Sequence, residues 1–125
     1  MTAVAKEPIQ LGNGEHWLSL APAAGRLNAA FQARGLQGRW TTAEVDLKAT
    51  GLELLALHNT LKGQVLLSDN ASLGVRFEAD RTGNVAADVH IEGWPFQIEG
   101  QIRLMVAVEH AQLAKLSKCL CGANR

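Results

Sequence analysis

Apolar and polar side chains alternate along most of the chain, which is the pattern of strands that bury one face. Between residues 26 and 34, for example, the side chains of Leu27, Ala29 and Phe31 fall on one face and mostly polar side chains on the other. The same alternation predicts strands over residues 15–21, 26–34, 38–47, 64–69, 72–80, 84–92 and 96–109.

One segment between these strands has helical spacing instead. Thr50 stands three residues before Glu53, an arrangement in which the two side chains can cap the first turn of a helix. Gly63 follows, and glycine readily takes the left-handed conformation that ends helices. The leucines at helical spacing are Leu54, Leu57 and Leu61. A helix is therefore predicted over about residues 51–62.

A second leucine-rich segment closes the chain, with Leu113, Leu116 and Leu120 on one helical face and Gly122 just beyond. It predicts a helix over about residues 111–121. Short connections favour antiparallel neighbours, and both helices must bury their leucines against the sheet. The prediction is one α+β domain over residues 15–122, with an antiparallel sheet of about six or seven strands. Residues 1–14 are predicted to form a loose lead-in with a short strand around residues 9–11, and residues 123–125 a C-terminal tail.

The two halves of the chain also resemble each other. When Gly25 is laid over Gly83, Ala29 falls on Ala87, and one inserted residue later the leucines of the first helix fall on those of the second. This match predicts an internal repeat of strand-strand-strand-helix units. The alternative is that any two amphipathic strand pairs align at some offset.

Composition narrows the class of protein. The chain has 125 residues, of which 47% are hydrophobic and 19% charged, values typical of a globular domain. Twelve basic residues balance twelve acidic ones and are scattered singly, so nucleic-acid binding is not predicted. The longest apolar run, LMVAV at 104–108, is too short to cross a membrane, and the N-terminus lacks a signal-peptide pattern. With Cys119 and Cys121 predicted to be free thiols, a cytoplasmic location is expected.

No sequence motif indicates a reaction. The four histidines lack the spacing of metal ligands, and there is no HExxH, no GxSxG and no phosphate-binding loop. Glu92 and Glu99 could face each other as a carboxylate pair, but two exposed acids on a sheet explain them equally well. The prediction is a protein with no catalytic residues, no metal and no cofactor.

Three aromatic residues are candidate contacts for a protein partner. Trp94 and Phe96 bracket a proline in a predicted turn, where large aromatic side chains can anchor an interface. Trp40 comes next, because its phase along the strand is opposite to that of Val45 and Leu47. The alternative for Trp94 and Phe96 is that they cap the open end of the sheet.

From about His16 to Leu120, the order of these elements resembles the WapI-type immunity family of bacterial polymorphic-toxin systems. Four stretches carry the resemblance: the strand pair ending in AEVDL, the helix LELLALHNTL, the strand pair VRFEADRTGNVAADVHI and the ending QIRLMVAVEHAQLAKLSKCL. The resemblance implies a protein that binds a cognate toxin domain and blocks its active site or its assembly. It transfers no functional residue by position. The neutral charge differs from the acidic immunity proteins that oppose basic nucleases, so a non-nuclease target fits at least as well.

One alternative function is a small-molecule or lipid-binding module, with an apolar pocket between the sheet and the helices. A further alternative is an enzyme built on the His and Glu residues, which no constellation of residues supports. For any of the three functions, the edge of the sheet offers a surface for a homodimer.

Overall fold

Four strands and a helix, followed by four more strands and a second helix, make up the computed structural model, which describes residues 8–33, 35–92 and 101–122. The predicted α+β class and both predicted helices are confirmed. The elements are β1 (Ile9–Asn13), β2 (His16–Ala23), β3 (Arg26–Ala33), β4 (Leu36–Thr41), α1 (Leu47–Thr60), β5 (Gln64–Ser68), β6 (Leu73–Ala79), β7 (Val85–Glu92), β8 (Gln101–Val108) and α2 (His110–Cys121).

The strands form two sheets, whereas a single sheet of about six or seven strands was expected. The first sheet has the order β1-β2-β3-β4 and the second β5-β6-β7-β8, and all neighbours are antiparallel. The difference arises at α1, because the chain leaves the first sheet there and starts a new one after it. The short strand expected near residues 9–11 is β1, which pairs with β2 as an edge of the first sheet.

Each half of the molecule therefore has four strands before its helix, one more than the predicted repeat unit. The shift that lays Gly25 on Gly83 pairs the third strand of each half, β3 with β7, and then α1 with α2. The apolar side chains that this shift superimposes on β3 and β7 are buried in both. A common origin of the two halves stays a prediction.

A single hydrophobic cluster contains the inner faces of both sheets and the buried leucines of both helices. Phe31 from the first sheet and Phe77 from the second are among its largest fully buried side chains. The two sheets also meet at their edges, where β1 contacts β8. Gly12 lies at this contact with φ +83°, and a Cβ there would lie 3.0 Å from Val106 Cβ and 2.5 Å from the His16 carbonyl oxygen. The backbone conformation and the nearby carbonyl of β2 therefore require glycine, and β8 of the second sheet leaves little room for a side chain.

Helix α1 begins four residues earlier than about residue 51, where it was predicted to begin, because Asp46 is its N-cap. The Asp46 carboxylate accepts a hydrogen bond from the Ala49 N–H at 3.1 Å. Thr50, predicted as part of the cap, lies within the helix and is buried. At the other end, Leu61 rather than Gly63 is the left-handed C-cap, with φ 52°.

The two helices pack closely at Gly51. A Cβ at this position would lie 2.7 Å from the Cys121 backbone nitrogen and 3.0 Å from the Ser117 carbonyl oxygen. Only a residue without a side chain allows α1 and α2 to approach this far. In the described part of the chain, neither helix has the length and hydrophobicity needed to span a membrane.

Candidate functional site

On the two sheets, the side chains available to a ligand or partner lie on the outer faces, because the inner faces are buried in the common core. The outer face of the second sheet carries both charged and large apolar side chains. One row of directly paired residues crosses it from edge to edge, and we call it the central row. Its members are Leu66, Arg76, Asp88 and Met105.

The two ends of the central row are the most exposed large apolar side chains of the described residues. Met105 on β8 is 68% exposed and Leu66 on β5 is 62% exposed. Strand alternation explains both positions, since each side chain points away from the core and its neighbours along the strand point inward. The row therefore presents an apolar group at each edge of the sheet.

The middle of the central row is charged. The Asp88 carboxylate is 3.2 Å from the guanidinium of Arg103, which lies on the neighbouring strand one row away. Arg76 also lies opposite Asp88 in the row, and its guanidinium has no ion pair or hydrogen bond with any residue that the structure describes. The middle of the central row thus has one paired acid, Asp88, and one cation, Arg76, that is available to a partner.

A concavity of about 970 Å³ lies beside the central row. Its depth comes from Ala86 and Ala107, two short side chains that face each other in the neighbouring row. One wall is the turn between β6 and β7, which is joined to the start of α2 because His110 Nε2 lies 2.9 Å from the Gly83 carbonyl oxygen. Asp80 shapes this turn by accepting hydrogen bonds from the backbone N–H groups of Thr82 and Asn84.

The outer face of the first sheet has a second, smaller concavity of about 550 Å³. Its floor consists of short side chains, including Ser19 and Ala30, and longer side chains stand around it, including Trp17 and Arg39. The candidate residues predicted from the sequence do not include Trp17. The signal was present, since Trp17 has the opposite phase to the buried Leu18.

Trp40, a predicted partner contact, lies in the core with 8% of its surface exposed. Its ring makes an edge-to-face contact with Phe31 at a centroid distance of 6.2 Å, and its Nε1–H donates a hydrogen bond to Ser72 Oγ at 2.8 Å. Trp40 and Val45 have opposite phases in the sequence and are both buried. This is possible because β4 ends at Thr41, so strand alternation does not continue to Val45. Contact of Trp40 with a partner stays a prediction, and only a narrow part of the ring is available for it.

The buried carboxylate of Asp69 holds the loop between β5 and β6 against the segment that follows β4. It accepts hydrogen bonds from the N–H groups of Ala71, Ser72 and Leu73, from the Ser72 hydroxyl and from the Ala43 N–H. Burial acts to raise the pKa of the carboxyl, but these hydrogen bonds outweigh it and lower the pKa below the ordinary value. Asp69 therefore acts as a structural anion that connects the two sheets.

Trp94, Phe96 and Glu99 lie outside the described residues, between β7 and β8 in the sequence. Among the described residues, no group of three His, Cys, Asp or Glu side chains is placed to hold a metal ion.

Comparison of the chain with protein-family models, with curated proteins and with solved structures found no match.

Proposed function

We propose that this protein is a non-enzymatic immunity protein that binds a cognate bacterial toxin domain and occludes its active or assembly surface. The observation that carries the proposal is the central row, which places exposed Leu66 and Met105 on either side of Arg76 and Asp88. Methionine and arginine are enriched in protein interfaces, and arginine is among the residues that most often dominate the binding energy. The resemblance to the WapI-type immunity family supplies the class of partner.

Binding would bury Met105 and Leu66 in pockets of the toxin domain. Arg76 would pair with a carboxylate of the partner, because its guanidinium is not engaged by the described residues. The bond between Asp88 and Arg103 holds both side chains in place before the partner arrives. A face with charges of both signs requires a complementary arrangement on the partner, which gives specificity more than affinity.

The outer face of the second sheet is smaller than a stable protein interface, so other surfaces of the protein must also contact the toxin domain. Four strands about 4.8 Å apart and about seven residues long cover roughly 450 Å². A stable interface buries about 800 Å² on each partner. The toxin domain must therefore extend beyond the sheet, and we propose that Trp94 and Phe96 provide part of the remaining contact.

The proposal is tested with the toxin domain encoded beside the gene, by co-purification, by protection of cells that express the toxin, and by calorimetric titration. Met105→Glu is expected to weaken binding at least about 30-fold, the effect of losing about 2 kcal/mol at an anchor. Leu52→Glu is the matched control. Like Met105, Leu52 is an exposed large apolar side chain, 53% exposed, but it lies on α1 and not on the second sheet.

Different results would contradict different parts of the proposal. If the wild-type protein neither binds the toxin domain nor protects cells, the proposed function is wrong. If it binds and Met105→Glu has no more effect than Leu52→Glu, the function stands and the central row is the wrong surface. Trp94→Leu is expected to weaken binding and to leave folding nearly intact.

A further inference from the structure

We propose that the concavity on the outer face of the first sheet is a binding site for a small ligand that combines a flat ring with a single carboxylate. The site is independent of the proposed toxin-binding face, because the two outer faces belong to different sheets. The site also lies elsewhere than a pocket between the sheet and the helices, since the row of side chains that forms it is on the outer face of the first sheet.

The shape of the site comes from one row of paired residues, Gln10, Ser19, Ala30 and Arg39. The two central side chains are short and the two outer ones are long, so the row forms a trough. Its volume of about 550 Å³ falls within the range of about 300–1,000 Å³ that is typical of small-molecule sites.

The aromatic wall of the trough is Trp17, in the neighbouring row with Gln32 and Gln37. The side-chain amide of Gln37 donates a hydrogen bond to Gln32 Oε1 at 2.9 Å, which holds both amides in place. Strand geometry places the Cα atoms of Trp17 and Arg39 about 12 Å apart, two strands and two residues away from each other. A ring against the indole can therefore extend a substituent over Ala30 toward the guanidinium.

The charge of the site selects the ligand. Among the described residues that line the concavity, Arg39 is the one charged side chain, and the others are apolar or neutral polar. Asn28, for example, is held by a hydrogen bond of 2.8 Å from the Thr41 hydroxyl. A single guanidinium in neutral surroundings complements one negative charge, and its planar pair of N–H donors fits a carboxylate. A phosphate, with nearly two negative charges, would leave part of its charge without a counter-charge.

Three probes separate the contributions of ring and charge in a nuclear magnetic resonance titration of the full chain. They are 2-naphthoate, the neutral 2-naphthalenemethanol with the same ring, and cyclohexanecarboxylate with the same charge but no flat ring. We expect 2-naphthoate to bind at least about tenfold more tightly than either of the other two. The amide signals that shift should be those of β2 and β3 around Ser19 and Ala30.

Arg39→Gln is the decisive variant, because Arg39 is exposed and its loss should leave the fold unchanged. It is expected to reduce the affinity for 2-naphthoate about tenfold, to that of the neutral alcohol, and to leave the affinity for the alcohol unchanged. Arg76→Gln, on the outer face of the second sheet, is the matched control and should change neither affinity. Trp17→Leu is expected to weaken binding of both naphthalene probes by a similar factor.

Several outcomes would overturn the proposal. They are equal affinity of the acid and the alcohol, retention of 2-naphthoate binding by Arg39→Gln, and shifts confined to the second sheet. Absence of binding by all three probes would also overturn it. None of these results bears on the toxin-binding proposal, which is tested through Met105 on the other sheet.

Discussion

Replacing Asp69 tests how the loop between β5 and β6 is held against the first sheet. Asp69 is 6% exposed, and Asp69→Ala would remove the acceptor for several backbone N–H groups. The hydrogen bond from the Leu73 N–H is buried, and those from the N–H groups of Ala43, Ala71 and Ser72 are partly buried. The buried bond to a charged acceptor contributes about 1.5 kcal/mol, and the partly buried bonds, whose donors can in part bind water instead, contribute about as much together. The expected loss is therefore about 3 kcal/mol in unfolding free energy.

Asp69→Asn separates the charge from the hydrogen bonds. The amide oxygen can still accept from the three N–H groups of the loop, but the NH₂ group would face the Ala43 N–H, donor against donor. The expected loss is about 1–2 kcal/mol, from the missing bond and the missing charge.

The pH dependence follows from the lowered pKa of the Asp69 carboxyl. A carboxyl whose pKa is lower in the folded chain contributes stability above its unfolded pKa of about 3.9. That contribution is lost as the pH falls through the folded pKa. The difference in unfolding free energy between wild type and Asp69→Asn should therefore be constant above about pH 5 and shrink as the pH falls below 4.

Urea denaturation between pH 7 and the acid limit of the folded state measures both effects. Asp80→Ala is the matched control, because Asp80 makes similar hydrogen bonds within an exposed turn, and it should destabilise less than Asp69→Ala. The reasoning is refuted if Asp69→Ala costs less than about 0.5 kcal/mol, the ordinary range for surface substitutions. It is also refuted if Asp69→Asn and wild type lose stability in parallel below pH 4.

Two further predictions concern packing, and urea denaturation measures both. Gly51→Ala should lower the unfolding free energy by about 1–2 kcal/mol, because the new Cβ would clash with Cys121 and this clash outweighs the helix propensity of alanine. Gly74→Ala is the control and should have almost no effect, because no atom lies within 4 Å of its new Cβ. Equal effects of the two glycine substitutions would show that the helices can separate freely. Trp40→Phe should lower the unfolding free energy by about 1–2 kcal/mol, because it removes the hydrogen bond to Ser72 and leaves a smaller ring in the core. An unchanged urea midpoint would mean that this hydrogen bond does not stabilise the fold.

Local periodicity was enough to predict most of the elements but not their assembly. The strand predicted over 26–34 is β3, Arg26–Ala33, and the helix predicted over about 111–121 is α2, His110–Cys121. Alternation of side chains depends on the strand itself, so it can be recognised in the sequence. The division into two sheets depends on which strands pair, and no local pattern encodes the break after Thr41.

In the candidate sites too, features set by a single strand could be predicted from the sequence, and features set by contacts between distant segments could not. The outward phase of Trp17 follows from that of its neighbours, so its exposure could have been predicted. Asp69 stands in the sequence SDNAS, which indicates only a turn. Its hydrogen bond to Ala43 joins segments on either side of α1, so its role could be found only from the structure.

The two halves of the fold differ most on the outer faces of their sheets, which do not pack against the core. On the inner face, β3 and β7 have apolar side chains at every buried position, because both strands contribute to one core. On the outer face, the shift that pairs these strands lays Ala30 on Asp88 and Gln32 on His90. Packing imposes no requirement at these outward positions, so the first sheet can present a trough with one cation, Arg39, and the second sheet a row with charges of both signs. The pattern that the halves share therefore specifies which faces of the strands are buried, and contacts with partners are expected at the outward positions where the halves diverge.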